Sequence, residues 1–312
     1  MTILDSIIQG IVQGLTEFLP VSSSGHLLIS QHILGVKENN LFFSIMLHIG
    51  TLIAVLAVYY KTILKLIKSF FEIIKDIFTG KFDFKKLDND KNMVLMLIAG
   101  LLPLFLLFVP IPGSSTNVKG IAEELAGDKS IILVGIALIA TSILLKTGIN
   151  ARQTYKVKCT FDGEQPWEGR KRLNFMDALS IGVTQFVAAI FPGISRSGST
   201  LSTGLLRGIN KQAALDYSFI LGTPAILAAA VIELKDALEA DAISSVGLMP
   251  MMVGMAVSAV VGFLSIKLFK WLLKTDKMII FVVYTFVVGL ASVIIGVIEN
   301  IYGMNIFTHT AL

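Results

Sequence analysis

One cysteine, Cys159, is all that the 312-residue sequence contains, so an intrachain disulfide is excluded. It falls in a basic stretch, where a free thiol is expected. Charge is scarce as well: Asp, Glu, Lys and Arg make up 15% of the chain, against roughly 25% in a typical soluble domain. Hydrophobic residues, at 54%, take their place, and that balance requires lipid around the chain. Basic residues are missing from Met1 to Asp5, and no small-residue cleavage site follows an apolar core, so no signal peptide is expected. The formal net charge of +4 says less than its distribution, and no nucleic-acid partner is expected.

Six runs of about 18 or more apolar residues, the length that crosses roughly 30 Å of hydrocarbon, fall at 41–60, 93–112, 130–147, 212–234, 248–270 and 278–300. Two further apolar segments, 3–35 and 175–206, are each interrupted by a proline and a Ser/Gly cluster. Neither half of either segment is long enough to span. Of the 26 basic residues, 21 lie in 61–91, 146–172, 267–277 or at Arg207 and Lys211. The connections 113–129 and 235–247 instead carry Glu123, Glu124, Asp128, Asp236, Glu239 and Asp241, with Lys119 and Lys129 among their few cations. Basic loops stay cytoplasmic, which puts the acidic connections and both termini outside. Residues 61–78 align Lys61, Lys65, Lys68, Glu72 and Lys75 on one stripe and read as an amphipathic helix on the inner leaflet. Continuation of the preceding span is the alternative.

Residues 5–28 align with 177–200 without a gap, and Asp5/Asp177, Gly10/Gly182, Gln13/Gln185, Pro20/Pro192 and Ser23/Ser195 coincide. Segments 43–58 and 217–232 extend the match. Three spans separate the two interrupted segments, and an odd number brings the second copy in from the opposite side. The expected fold is therefore an all-α polytopic membrane protein of two inverted-topology repeats, 1–172 and 173–312. It has six transmembrane helices plus two re-entrant helical hairpins. Irregular backbone at membrane depth is tolerated only where it is buried in protein or lines a wet cavity, so the hairpin tips are the expected site.

In the first segment, Gln13 and Glu17 share a helix face ahead of Ser22, Ser23, Ser24, Gly25 and His26. A carboxylate inside a bilayer is costly and seldom idle. Glu17, with Gln13, is expected to hold a divalent cation that bridges phosphate oxygens, Mg²⁺ or Ca²⁺; a structural ion pair is the alternative. The second tip offers Gly193, Ser195, Arg196, Ser197 and Thr200. Helix N-termini bind anions through free N–H groups, and Arg196 adds a forked cation, so the two tips together suit a phosphate or diphosphate. Pairing of Arg196 with Glu17, with no ligand chemistry, is the alternative reading there. His26 can exchange a proton near neutral pH or accept a phosphoryl group, whereas His32 and His48 read as packing residues.

These stretches, QGLTEFLPVSSSGH at 13–26 and PGISRSGST at 192–200, resemble the two signature regions of the bacterial undecaprenyl-diphosphate phosphatases, the BacA/UppP family. The likeness runs along nearly the whole chain, LHIGTL at 47–52 included. The resemblance implies removal of the terminal phosphate of undecaprenyl diphosphate, a polyprenyl diphosphate lipid, at the outer face of the bacterial plasma membrane. That reaction recycles the cell-wall carrier lipid with the help of a divalent metal. The resemblance puts the metal motif on Gln13 and Glu17, the catalytic histidine on His26 beside Ser23, and the phosphate-binding arginine on Arg196. Gln at position 13 leaves Glu17 as the one carboxylate of that motif, and position 24 keeps a hydroxyl as Ser. Oligomeric state is left open, a homodimer included.

The expected chemistry is attack by Ser23 on the terminal phosphorus with His26 as base, with attack by His26 itself or by water also open. The SGH and SR sequences are similar to those of metal-independent type-2 phosphatidic-acid phosphatases, but 199–206 lacks the histidine their second motif needs. Inverted repeats with broken helices also build transporters, so a polyprenyl-phosphate flippase is the competing function.

Overall fold

The computed structural model describes residues 2–35, 41–113, 116–127, 130–161, 168–239 and 247–310. Among them the chain is almost entirely helical: α1 (Ile3–Thr16), α2 (Ser23–Leu34), α3 (Leu41–Phe78), α4 (Asn89–Leu101), α5 (Val118–Gly127), α6 (Ile131–Phe161), α7 (Phe175–Ile190), α8 (Arg196–Leu206), α9 (Lys211–Glu239), α10 (Leu248–Lys274) and α11 (Ile279–Tyr302). The side chains of Cys159, Asp128, Lys129, Asp236, Glu239 and Asp241 lie outside the described residues. Six helices are long and apolar enough to cross a membrane, namely α3, α4 with its continuation to Phe108, α6, α9, α10 and α11. They coincide with the six runs in the sequence, and the chain is a multi-pass membrane protein.

Two boundaries differ from the sequence reading. The second span leaves α-geometry at Leu102, where Pro103 turns the chain into a 3₁₀ segment, Leu102–Phe108, that stops four residues early. Residues 61–78 form no separate helix. No Gly or Pro follows Gly50 before Phe78, so α3 runs unbroken for 38 residues, about 57 Å. Lys91 at the start of α4 anchors the far end through Asp76 at 2.7 Å.

The two interrupted segments fold as pairs of short helices, α1 with α2 and α7 with α8, each arm 11–16 residues long. The residues they share in the alignment have visible structural work. Thr2 and Asp5 form a reciprocal capping box at the start of α1, and Asn174 and Asp177 form the same box at the start of α7. Gly10 lets α1 cross α10 closely, since a Cβ there would come within 2.7 Å of the Gly254 carbonyl oxygen. Gly182 does the same for α7 against Gly100 of α4. Each short pair thus leans on a long helix of the other half. Between the halves, Phe18, Phe219, Phe269 and Phe281 form a chain of ring contacts with centroids 5.3–6.0 Å apart. This packed aromatic row ties α9, α10 and α11 to Phe18, the residue that leads from α1 into the first turn.

Candidate active site

Pro20 and Pro192 end the first arms, and the turns that follow meet face to face. Gly193 N–H donates to Ser24 Oγ at 3.3 Å, and Ser197 Oγ donates to the Leu19 carbonyl at 3.1 Å. Ser195 N–H is held by Thr141 Oγ1 of α6 at 3.0 Å. Ser22 and Ser195 cap α2 and α8, their hydroxyls accepting from Gly25 N–H and Gly198 N–H. Ser22 does so at φ 74°, ψ 101°, a region that a residue with a Cβ occupies at a cost of about 1–3 kcal/mol.

Glu17 closes α1 and is 6% exposed. Its Oε1 accepts from Arg196 Nη2 at 2.6 Å. Its Oε2 accepts from Ser23 Oγ at 2.6 Å and from Gln13 Nε2 at 3.0 Å. His48 Nε2 stands 3.9 Å from the same oxygen. Because His48 Nδ1 lies 2.8 Å from the Ser44 carbonyl, which can only accept, Nδ1 carries a proton and Nε2 is the nitrogen turned to Glu17.

A cavity of about 350 Å³ opens over this cluster. Glu17, Ser22, Ser23, Ser24, Ser195, Arg196, Ser197 and His48 line it on the side of the two turns, and Gln185 of α7 lines it as well. The rest is apolar wall, including Leu104, Leu107, Phe108, Ala189 and Ile226, and it reaches Lys119 of α5. Small-molecule sites have this make-up, with few polar groups at one end of an apolar cleft. Here the form suits an amphiphile with an anionic head.

Five residues of the sequence-derived set do not line the cavity. Gln13 is fully buried behind Glu17 and donates to it. Gly25 and Gly193 spend their N–H groups on serine hydroxyls within the tips. Thr200 binds the Arg196 carbonyl and Ser218 inside the bundle. His26 folds back on its own helix: Nδ1 donates to the Ser22 carbonyl at 2.8 Å, and Nε2 accepts from the Tyr284 hydroxyl of α11 at 2.9 Å, the two rings stacked. It makes no hydrogen bond to Ser23. In the free protein the acceptor beside Ser23 is Glu17. His48, read as a packing residue, faces the cavity instead. His32 does pack, against Glu299 and Asn305.

The cation expected on Glu17 and Gln13 finds no ready seat. Both carboxylate oxygens are taken by donors, and Gln13 presents its N–H₂, not its carbonyl, to Glu17. Among the described residues no group of three His, Cys, Asp or Glu side chains could hold a metal ion. The residues present do not fit a cation held by the protein alone.

Residues 6–291 match the family described as bacitracin resistance protein BacA. The chain belongs to the BacA family. A relative from Methanosphaera stadtmanae, named undecaprenyl-diphosphatase, is 35% identical over 96% of this chain and 99% of its own length. Proteins of the same name from Alkaliphilus metalliredigens and Korarchaeum cryptofilum are 37% and 33% identical, each over 93% of this chain and 97% and 98% of their own.

Proposed function

We propose that this BacA-family chain is an undecaprenyl-diphosphate phosphatase of the plasma membrane, releasing inorganic phosphate and returning the monophosphate carrier lipid. The observation that carries the reading is the chain Ser23–Glu17–Arg196 at the polar end of an apolar cavity. The prenyl tail follows the apolar wall while the diphosphate reaches Arg196, whose guanidinium exchanges Glu17 for phosphate oxygens. Ser23 Oγ then attacks the terminal phosphorus, and its proton passes to Glu17 Oε2, to which it already hydrogen-bonds. The bond from that phosphorus to the bridging oxygen breaks, and the lipid monophosphate leaves. Water hydrolyses the phosphoserine and restores Ser23. His48, 3.9 Å beyond the carboxylate, is the second proton-handling group within reach. A divalent cation, Mg²⁺ or Ca²⁺, enters this proposal as a companion of the diphosphate oxygens, and no step is routed through it.

The two short helix pairs are proposed as re-entrant hairpins entering from opposite faces. Lys119 sits in the connection that charge bias assigns to the outside and also lines the cavity, which supports an outward opening. A Ser24→Cys variant in a Cys159→Ser background should then label with a membrane-impermeant maleimide added outside intact cells.

The activity test is phosphate release from a polyprenyl diphosphate by the purified protein in detergent with Mg²⁺. Ser23→Ala and Arg196→Ala should each lower it about 10³-fold or more. Lipid translocation in liposomes with no phosphate release would overturn the phosphatase reading in favour of a flippase.

A further inference from the structure

Among the polar residues that line the cavity, one has neither a part in the mechanism above nor a hydrogen-bond partner for its side chain. Gln185 on α7 is 1% exposed and lines the cavity, yet neither its Nε2 nor its Oε1 meets a protein partner. An amide buried without partners in an apolar helix is costly, and such groups ask for an explanation. Gln185, Ala188 and Ala189 fall at i, i+3 and i+4, and all three line the cavity, so Gln185 stands on the helix stripe that borders the ligand space, its amide atoms just beneath the cavity surface.

The alignment of the two segments explains what is missing. Gln185 is the counterpart of Gln13, and Gln13 Nε2 donates to the carboxylate four residues later, at Glu17. Four residues after Gln185 stands Ala189. The second copy therefore keeps the donor, deletes its anion and opens cavity in the anion's place. We infer that Gln185 is a substrate-binding residue, its Nε2–H₂ donating to a non-bridging oxygen of the diphosphate seated beside Arg196. This rests on the phosphatase reading for the identity of the ligand, but its chemistry needs only a phosphate anion in the cavity.

The test measures binding and turnover separately. The binding probe is a non-hydrolysable farnesyl methylenediphosphonate, titrated into purified wild type, Gln185→Met and Gln185→Glu in detergent. Gln185→Met keeps the volume and removes the amide, so it should weaken binding about tenfold to a hundredfold while leaving the unfolding temperature unchanged or higher. Gln185→Glu replaces the donor with an acceptor of like charge to the ligand and should bind more weakly still. Binding by Gln185→Met within twofold of wild type overturns the assignment, and so does a parallel loss of thermal stability, which marks a structural role. Phosphate release from farnesyl diphosphate is followed in the same preparations. Wild type that binds the diphosphonate but releases no phosphate removes the phosphatase reading and leaves the Gln185 assignment standing. Wild type that does not bind the diphosphonate overturns both.

Discussion

Gly222 of α9 offers the sharpest test of the arginine's position. It faces the Arg196 guanidinium so closely that a Cβ built on it would overlap Nη1 and lie 2.7 Å from Cζ. Carbon atoms rest at about 3.5–4.0 Å, so Gly222→Ala pushes the guanidinium back by about 1 Å at Cζ and by more at the overlapping Nη1. The Arg196–Glu17 hydrogen bond, 2.6 Å in the native arrangement, then passes beyond hydrogen-bonding range. A hydrogen bond to a charged group contributes about 1.5–3 kcal/mol, and a 1 Å misplacement at a reacting centre costs on the order of 10²-fold. Turnover should fall about 10²-fold.

Stability should fall by about 1–2 kcal/mol, because alanine in a helix interior gains about 0.5–1 kcal/mol over glycine and so offsets only part of the lost charged hydrogen bond, while Glu17 keeps its bonds from Ser23 and Gln13. The assay is phosphate release by the purified variant beside thermal unfolding in detergent. A double-mutant cycle adds a second reading: Arg196→Ala placed on Gly222→Ala should cost far less than it does alone, because both act through one side chain. Turnover of Gly222→Ala within threefold of wild type, or full additivity with Arg196→Ala, refutes the reasoning.

Three further outcomes are expected. Asp177→Ala should lower the unfolding temperature clearly more than Asp5→Ala, since both lose a capping box worth about 1 kcal/mol but buried Asp177 also loses Arg170 at 2.9 Å and Arg207 at 3.0 Å; equal losses would refute this. Asp276, between α10 and α11, is raised by burial, but hydrogen bonds from Lys211 at 2.7 Å and Arg152 at 2.8 Å outweigh that and hold its carboxyl below the ordinary 3.8. Its stabilising charge is fully present above that value and lost as pH falls through the lower native one. Asp276→Asn, at a φ of 54° that Asn tolerates equally, should therefore lower the unfolding temperature by a few degrees at neutral pH, a difference that starts to shrink below about pH 3.8 and closes only once pH has fallen through the lower native value. A difference that persists unchanged in acid contradicts that account. Mg²⁺ alone should leave the unfolding temperature unmoved and should raise it only with the diphosphonate present; a shift with Mg²⁺ alone would place a cation site on the protein.

Span positions were legible in the sequence because lipid imposes length and composition on every crossing segment, whatever its neighbours. Helix ends were less so: 61–78 looked separate by its lysine stripe, yet without Gly or Pro the backbone simply continued. Glu17, Ser23 and Arg196 could be read from their motifs, and they do meet. Which histidine faces them could not, because that depends on where α3 and α11 pack. Tyr284 captures His26 from a position 258 residues away, and no local pattern announces it. His48 did leave a signal, a titratable side chain in the middle of an apolar span, and Gln185 left another in its match to Gln13.

The two aligned segments divide their work by which positions agree. Where they agree, the shared residue builds: Asp5 and Asp177 cap, Gly10 and Gly182 admit a crossing helix, and Ser195, though its mate Ser23 is free to bond Glu17, caps α8. Where they differ, charge appears on one side only, Glu17 against Ala189 and Arg196 against Ser24. Those two charges satisfy each other at 2.6 Å in the free protein. A buried pair of this kind contributes little to stability by itself, and losing either partner is expensive. In the proposed reaction an incoming polyanion supplies a new partner for Arg196 and releases Glu17 to take the Ser23 proton. On this view the pair is a latch that only a ligand with several negative oxygens opens, and hydrolysis of the serine's target is coupled to its arrival.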